Sequence, residues 1–204
     1  MSAAEDRICK NGGNGEHVYL SSQEILDCDP ASECKRGTVN KVLMWGKRRG
    51  FVPESCYPRT GKAGTCPDMH LEDNECRLNN NFYKVVDMCV TSEVDGIQRE
   101  ILTNGPVLGQ LSPYTDFLTY GEGIYSRTQD AFKFNGNHIV KMVGWEPTPD
   151  GGMAWIVENV WGSDWGEKGY SRIASQGETS LDFYAVSLAI HPQTMADYYL
   201  AQEQ

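Results

Sequence analysis

The cysteines of this 204-residue chain constrain its fold more than any other feature, because all seven lie in the first half of the sequence. They are Cys9, Cys28, Cys34, Cys56, Cys66, Cys76 and Cys89. No two of them have the Cys-x-x-Cys spacing that is typical of a zinc site. Single cysteines scattered through loop-rich sequence predict disulfides and an oxidising compartment. Because the number is odd, either a partner lies outside this chain or one thiol is free.

Helix signals are concentrated in the same part of the chain. Ser21 begins a Ser-x-x-Glu capping box that ends at Glu24 and predicts the start of a helix. A second helix is predicted to run from Thr38 to about residue 49, because Gly50 supplies a stop signal. The segment 51–81 is rich in Pro, Gly, Asn and Cys, which predicts a loop held by disulfides.

The rest of the chain has mostly strand signals. The predicted strands are 82–90, 107–111, 139–145, 153–157 and 170–174. A short helix is predicted between the first two strands, with Ser92 as its cap. Its inward-facing residues are predicted to be Val94, Ile97, Ile101 and Leu102. Helices followed by antiparallel strands predict an α+β fold, which we divide into lobes of residues 1–81 and 82–204.

The charge of the chain excludes some classes of partner. The formal net charge is −10 and the sequence pI is about 4.8. Such an acidic chain repels phosphate backbones and anionic lipid headgroups, so we expect neither nucleic acid nor a membrane surface as a partner. No apolar run approaches the ~18 residues of a membrane-spanning helix. We therefore expect a globular domain, and we expect it to be a monomer.

Two polar residues in the strand-rich part are candidates for chemistry. His138 directly precedes the apolar run 139–145, and Asn159 lies beyond the hairpin that follows. If the two strands pair, the side chains meet, and a neutral amide then fixes the orientation and tautomer of the imidazole. That is the orienting role in a Cys-His-Asn catalytic system. Alternatively, His138 is structural and the Trp-Gly pairs after Asn159 form a corner of the core. Spacing alone leaves both interpretations open.

Two sequence blocks around these residues resemble the His and Asn blocks of papain-like cysteine peptidases. The first is N-H-I-V-K-M-V-G-W (137–145), and the second is W-I-V-E-N-V-W-G-S-D-W-G-E-K-G-Y-S-R-I (155–173). The segments L-S-S-Q-E-I-L-D-C and N-G-P-V agree with the family in the same order. A-A-E-D-R-I-C (3–9) resembles the helix after the nucleophile in the cathepsin B and cathepsin X (Z) branch. The resemblance extends from Met1 to about Ile190.

This resemblance implies a fold and a set of site residues. The implied fold is the papain-like two-lobe α+β fold, with a helical left lobe and an antiparallel, barrel-like right lobe. In the implied site, His138 is the general base and acid, Asn159 orients it, and Trp161 shields their contact and lines the leaving-group side. The further substrate-binding residues that the resemblance implies are Gly37, Gln110 and Asn137. No metal or organic cofactor is implied.

The chain departs from the family at its N-terminal end. Residues 1–3 match the end of the family's G-x-C-W-A-[FM]-S-A type segment, so the resemblance places the nucleophilic Cys upstream of Met1. The Gln of the oxyanion hole lies further upstream still. We therefore expect this chain by itself to be inactive, since the loss of one oxyanion donor alone costs ~10²–10³ in turnover.

The resemblance leaves the disulfide connectivity open. Cys28 matches a cysteine that pairs with a later one, either Cys66 or Cys76, and Cys56 has Cys76 or Cys89 as candidate partners. The two cysteines whose family partners lie upstream of this chain are Cys9 and Cys34.

Two functional hypotheses follow. The first is a thiol peptidase that cleaves peptides or proteins and has cystatin-like proteins among its inhibitors. The second is a non-catalytic pseudopeptidase that binds peptides or has a structural role. Departures from the family pattern at Val160, Gln110 and Lys35-Arg36 favour the second. Under either hypothesis the disulfides and the family predict a lysosome-like compartment or secretion.

Overall fold

The computed structural model describes residues 1–11, 17–29, 37–66, 82–177, 179 and 181–193. The chain divides into two compact units. The first unit comprises Met1–Met88 and Leu188–Gln204, and the second comprises Cys89–Ser187. The lobes that the sequence predicts, residues 1–81 and 82–204, stay a prediction.

Within the described residues, the first unit has three helices: α1 (Ser2–Asn11), α2 (Ser22–Cys28) and α3 (Val39–Arg48). Both predicted helix starts are confirmed. The Ser21 hydroxyl accepts the Glu24 N–H at 3.0 Å, and the Thr38 hydroxyl accepts the Lys41 N–H at 3.3 Å. These caps pair backbone donors that a helix start otherwise leaves unsatisfied. Gly50 follows α3 with a φ of 74°, a conformation that strains residues with a β-carbon.

Seven strands lie in the described residues. They are β1 (Phe82–Thr91), β2 (Val107–Leu111), β3 (Ile124–Tyr125), β4 (His138–Pro147), β5 (Met153–Glu158), β6 (Tyr170–Ala174) and β7 (Ala185–Gln193). They form one sheet in the order β1-β7-β2-β4-β5-β6-β3. β2 pairs antiparallel with β4 and β7, and β5 pairs antiparallel with β4 and β6, whereas β3 pairs parallel with β6. The described residues also contain α4 (Val94–Asn104) and two 3-10 helices, Thr115–Thr119 and Leu181–Phe183.

All five predicted strands are present, and β3 and β7 were missed. β3 has two residues, which is too short for a periodic signal. β7 is buried on both faces over its first half, where Ala185, Val186, Ser187 and Leu188 are all at most 7% exposed. A strand that is covered on both sides lacks the alternation of apolar and polar residues that is typical of a half-buried strand.

Two predictions for α4 are wrong. The cap residue is Glu93 rather than Ser92, and Glu93 makes no side-chain cap hydrogen bond. Ile97 and Ile101 are buried as predicted, but Leu102 is 68% exposed. Successive helix residues point about 100° apart, so Leu102 cannot share the face of Ile101, whereas Ile97, one turn away, does. None of the described helices is long and apolar enough to cross a bilayer.

The core of the second unit lies on one face of the sheet. Every second residue of β2 is buried, so Val107 and Leu111 face the core while Gln110 faces the opposite side. Trp155 is fully buried in this core, and its indole Nε1 donates to Asp182 Oδ1 at 2.7 Å. The largest side chain of the core therefore fills volume without leaving a polar atom unpaired.

A disulfide links the end of α2 to a loop of the first unit. Cys28 and Cys66, which are 38 positions apart, form a disulfide, so one of the two pairings predicted for Cys28 is confirmed. Cys56 is also disulfide-bonded. Because Cys89 is free, the candidate pairing of Cys56 with Cys89 is wrong. The other candidate partner, Cys76, lies outside the described residues.

A polar network around Asp27 also links α2 to a loop of the first unit. Asp27 Oδ1 accepts the Gly64 N–H at 2.6 Å and Gln23 Nε2–H at 2.9 Å, and Asp27 Oδ2 accepts the Tyr57 hydroxyl at 2.9 Å. Burial raises the pKa of the Asp27 carboxyl, but these hydrogen bonds lower it more, so the pKa lies below its ordinary value. Burial and the neighbouring Asp27 carboxylate raise the pKa of Tyr57 to about 12. The network therefore depends on an ionised carboxylate.

Candidate active site

Strand pairing brings His138 and Asn159 together. His138 begins β4, and the ladder with β2 pairs it with Leu111. Asn159 directly follows β5, whose last ladder pair at this end joins Glu158 to Lys141 of β4. Because β4 and β5 are antiparallel, the start of one lies beside the end of the other. The meeting of the two side chains that the sequence predicted is found, with His138 Nε2 and Asn159 Oδ1 2.9 Å apart.

The hydrogen bonds of Asn159 define the state of the imidazole. The backbone N–H of Val160 donates to Asn159 Oδ1 at 2.8 Å, and an amide nitrogen in that place could not accept it. The atom that faces His138 is therefore the oxygen, so His138 Nε2 must donate. A neutral His138 then carries its hydrogen on Nε2 and its lone pair on Nδ1. Within the described part of the chain Nδ1 has no hydrogen-bond partner, which leaves it available as a proton acceptor.

Trp161 covers the His138–Asn159 contact on one side. Its indole stacks on the His138 ring, with the ring centroids 4.9 Å apart and an interplanar angle of 22°. Phe117 and Trp165 pack against the same indole at centroid distances of 5.8 and 5.0 Å. Asn159 is only 7% exposed, whereas Trp161 is 37% exposed. The indole therefore excludes water from a buried hydrogen bond, which strengthens that bond electrostatically, and it keeps one face towards solvent.

The other predicted site residues lie in three different settings. Gln110 is half-buried on β2, and its ladder partner is Ile139, so both side chains are on the sheet face opposite the core. Asn137 is exposed and directly precedes β4. Gly37 belongs to the first unit, and a β-carbon added there would meet no atom within 4 Å. The contacts of these residues with substrate stay predictions.

The described part of the chain contains two free thiols. Cys9 is half-buried on α1, and Cys89 is exposed on β1, where its Sγ lies 3.7 Å from the Val90 carbonyl oxygen. Cys34, the other cysteine with an expected upstream partner, lies outside the described residues, as do Lys35 and Arg36. No group of three or more His, Cys, Asp or Glu in the described ranges is arranged to hold a metal ion. The candidate site as described contains an imidazole and the amide that is hydrogen-bonded to it.

Sequence reasoning missed an ion pair beside this site. Lys141 Nζ lies 2.7 Å from Glu158 Oε2, and Lys141 is only 8% exposed. Lys141 interrupts the otherwise apolar run I-V-K-M-V, and Glu158 ends the run W-I-V-E. Once His138 and Asn159 are paired across antiparallel strands, the same register places the two charges opposite each other. The two charges were therefore visible in the sequence, but their pairing could be predicted only from the register of β4 and β5.

Comparison with known proteins identifies relatives that match most of the chain. A family model described as "Papain family cysteine protease" matches residues 1–188. Cathepsin B-like CP3 of Giardia intestinalis is 32% identical over 178 residues, which are 85% of this chain and 58% of that protein. Cathepsin Z of Onchocerca volvulus is 30% identical over 187 residues, with coverages of 85% and 58%. Tubulointerstitial nephritis antigen-like of Homo sapiens is 29% identical over 221 residues, with coverages of 93% and 47%.

A solved structure supports the same grouping. The chain matches proCathepsin B S9 from Trypanosoma congolense with a TM-score of 0.79 and 25% identity, covering 95% of this chain and 66% of that one. The fold that the resemblance implied is thus confirmed, and so is the similarity to cathepsins B and Z. The chain spans about half the length of the curated relatives it matches.

Proposed function

Because the chain belongs to the papain family of cysteine proteases, we propose that its parent protein cleaves peptide bonds by a Cys-His-Asn mechanism. The observation that carries this proposal is the hydrogen bond between His138 Nε2 and Asn159 Oδ1, which leaves Nδ1 as the basic nitrogen. The nucleophilic thiol and the oxyanion-hole Gln would come from a segment upstream of residue 1, where the resemblance places them. The 204-residue chain by itself would then bind peptides without cleaving them.

In the proposed cycle, His138 moves a proton at Nδ1 in each half of the reaction. Nδ1 accepts the thiol proton, and the thiolate attacks the carbonyl carbon of the scissile bond. Nδ1 then donates this proton to the leaving amine, which departs and leaves a thioester on the enzyme. The same nitrogen deprotonates the water that hydrolyses the thioester and returns the proton to the thiol. Asn159 accepts the Nε2–H throughout and keeps the ring in one orientation.

The proposed substrates are peptides or proteins bound in extended conformation. Gln110 and Ile139, on the sheet face opposite the core, would form part of the specificity pocket. The carbonyl of Asn137 and the backbone of Gly37 would bind the substrate main chain, since no side chain at Gly37 blocks a close approach. Trp161 would line the leaving-group side, where one face of its indole is open.

The proposed compartment is oxidising, either lysosome-like or extracellular. The disulfide between Cys28 and Cys66 supports this, because such bonds persist mainly in secreted proteins and in oxidising compartments. Inhibitory proteins of the cystatin type would bind the same extended-substrate surface.

A non-catalytic, peptide-binding protein is the second candidate function. Val160, which follows Asn159 and departs from the family's usual Ser, is 77% exposed. The human relative that covers 93% of this chain has a name that describes an antigen and no peptidase. In this alternative the parent protein has no thiol in the nucleophile position, and the half-site binds peptides without hydrolysing them.

The experiment that separates the two candidates uses the natural protein with all residues that precede Met1. Hydrolysis of a fluorogenic peptide is measured for the wild type, for His138→Ala and for His17→Ala as a control outside the site. The peptidase proposal predicts that His138→Ala lowers kcat/KM by at least ~10²–10⁴, while His17→Ala has no effect. A natural protein with neither hydrolysis nor an upstream cysteine would overturn it in favour of the second candidate. Full activity in His138→Ala would show that this histidine is not the base.

A further inference from the structure

The ion pair between Lys141 and Glu158 has no role in the mechanism above, although burying a charged lysine costs hydration free energy. A lysine that is 8% exposed stays charged only if a partner compensates for its lost hydration, and the Glu158 carboxylate at 2.7 Å is such a partner. The Tyr170 hydroxyl donates to the same carboxylate oxygen at 3.2 Å. Lys141, Glu158 and Tyr170 lie on β4, β5 and β6, so we name them the three-strand clamp.

The clamp lies at the end of the ladder next to the site. Lys141 and Glu158 are the last pair between β4 and β5 at this end, and Glu158 and Tyr170 are the corresponding last pair between β5 and β6. Asn159 comes directly after this point. Its backbone N–H donates to the Gly169 carbonyl oxygen at 2.9 Å, outside the regular strands. The position of the Asn159 amide therefore depends on whether the ladder stays closed at Glu158.

His138 is held in part from the other side of β4. Its ladder partner on the opposite side of β4 is Leu111, which is fully buried. Its ring is covered by Trp161, which itself packs on the fully buried Phe117. If the end of β5 separates from β4, the imidazole stays in place and the amide moves away. A change in the clamp would therefore weaken the hydrogen bond between Asn159 and His138.

We propose that Lys141 and Glu158 are positioning residues, which hold the Asn159 amide against His138 and thereby fix the Nε2–H tautomer of the imidazole. The effect of these residues on catalysis rests on the proposed function, but their effect on the position of Asn159 and on the tautomer of His138 does not. The clamp selects the tautomer whose free nitrogen, Nδ1, is the one that a thiol would use. A charged pair at this point also aligns the register of β4 and β5, since opposite charges favour one pairing over a slipped one.

The test measures the tautomer directly in the 204-residue chain. Nitrogen-15 NMR spectra of the four histidines, recorded above their titration range, report the ratio of Nε2–H to Nδ1–H imidazole for each ring. We expect His138 of the wild type to be almost entirely Nε2–H. In Lys141→Met and in Glu158→Gln we expect the ratio of Nε2–H to Nδ1–H imidazole to fall about fivefold. A change of this size corresponds to the free energy of one ordinary hydrogen bond, which the variants would weaken.

The sign of the change distinguishes positioning from a through-space field. Removing the Lys141 charge and removing the Glu158 charge alter the local potential in opposite directions, so a pure field effect would shift the tautomer ratio of His138 in opposite directions in the two variants. Loss of positioning changes the tautomer ratio in the same direction in both. Lys141→Arg keeps the ion pair and should restore the wild-type ratio.

A matched control is available on the same strand. Glu146 of β4 lies 3.2 Å from Arg172 of β6, away from the site, and Glu146→Gln removes this ion pair. We expect the tautomer ratio of His138 in Glu146→Gln to equal that of the wild type. Dispersed amide spectra establish that each variant is folded, and a Lys141→Met variant that does not fold leaves Glu158→Gln to decide. A folded Glu158→Gln with the wild-type ratio would overturn the proposal.

Failure of this proposal and failure of the proposed function are distinguishable. An unchanged tautomer in the clamp variants removes the positioning role and leaves the peptidase proposal intact. A natural protein that lacks hydrolytic activity, combined with a tautomer that does respond to the clamp, removes the peptidase proposal and leaves the clamp in place.

Discussion

The two units are held together in different ways. In the first unit, the loops are fixed by the Cys28–Cys66 disulfide and by an ionised Asp27 that accepts three hydrogen bonds. In the second unit, an apolar cluster packs under one face of the sheet. The described helices α1, α2 and α3 have seven to ten residues each, so they bury only small apolar faces. Short elements and long loops need covalent or polar links, because they cannot remove enough apolar surface from water.

The difference between the units shows where a precise site can be built. His138 and Asn159 are at the ends of strands whose other residues, such as Val140, Met142 and Val157, are at most 2% exposed in the core. The positions of the two functional side chains are therefore set by a ladder and by tight packing, which hold atoms more closely than loops do. The predictions below test this contrast between the two units.

The largest effect is expected from Trp155→Ala in the second unit. The variant removes the largest fully buried side chain and leaves the Asp182 carboxylate without its indole donor. Large-to-small changes of this kind cost roughly 3–5 kcal/mol, so the second unit should lose most of its stability. Urea unfolding measures the change, with Phe132→Ala, at a position that is 78% exposed, as the control. A loss below about 1 kcal/mol would contradict the importance of this core.

The double variant Cys28→Ala/Cys66→Ala should destabilise the first unit by about 2–4 kcal/mol. The disulfide closes a separation of 38 positions, and its removal restores conformational freedom to the unfolded chain. Hydrogen exchange followed by mass spectrometry separates the two units. We expect faster exchange in α2 and little change in β4 and β5. Equal acceleration in both units would show that they unfold together, and the contrast between them would fail.

Asp27→Asn should weaken the first unit by about 1–2 kcal/mol at pH 7, because hydrogen bonds to a carboxylate are replaced by weaker ones. The folded pKa of Asp27 lies below its ordinary value of 3.8, so its contribution is present above that pH and is lost as the pH falls through the folded pKa. The difference in stability between wild type and variant should thus shrink below about pH 4. A difference that is constant between pH 7 and pH 3 would contradict an ionised Asp27.

The smallest effect is expected from Glu146→Gln. The side chains of Glu146 and Arg172 are each 34% exposed, and Arg172 retains its hydrogen bonds to Glu167. Exposed ion pairs contribute little, so we expect no measurable change in the urea midpoint. A clear destabilisation would show that surface charges, and not only the apolar core, hold the second unit together.

The sequence predicted those elements that have a local signal. Ser21 was identified as a helix start from its capping box, the helix from Thr38 from its stop signal at Gly50, and the strands mainly from their apolar runs. His138 and Asn159 were identified from strand pairing and family resemblance, and their side chains do meet. β7 was missed, and its first half, which is buried on both faces, has no alternation that would mark a strand. The pairing of Lys141 with Glu158 was missed because it depends on a register that exists only in the folded sheet. Local signals were therefore readable, whereas a pairing across strands was predicted only where the family resemblance pointed to it.

The central claim of this account is that the second unit holds His138 in the Nε2–H state through Asn159, ready to accept a proton at Nδ1. The most direct measurement is the nitrogen-15 NMR spectrum of His138 in the wild type and in Asn159→Ala, recorded above the titration range of the imidazole. We predict almost pure Nε2–H imidazole in the wild type and a mixture of both tautomers in the variant. A wild-type His138 that is mainly Nδ1–H, or a tautomer ratio that does not change when Asn159 is removed, would contradict the claim.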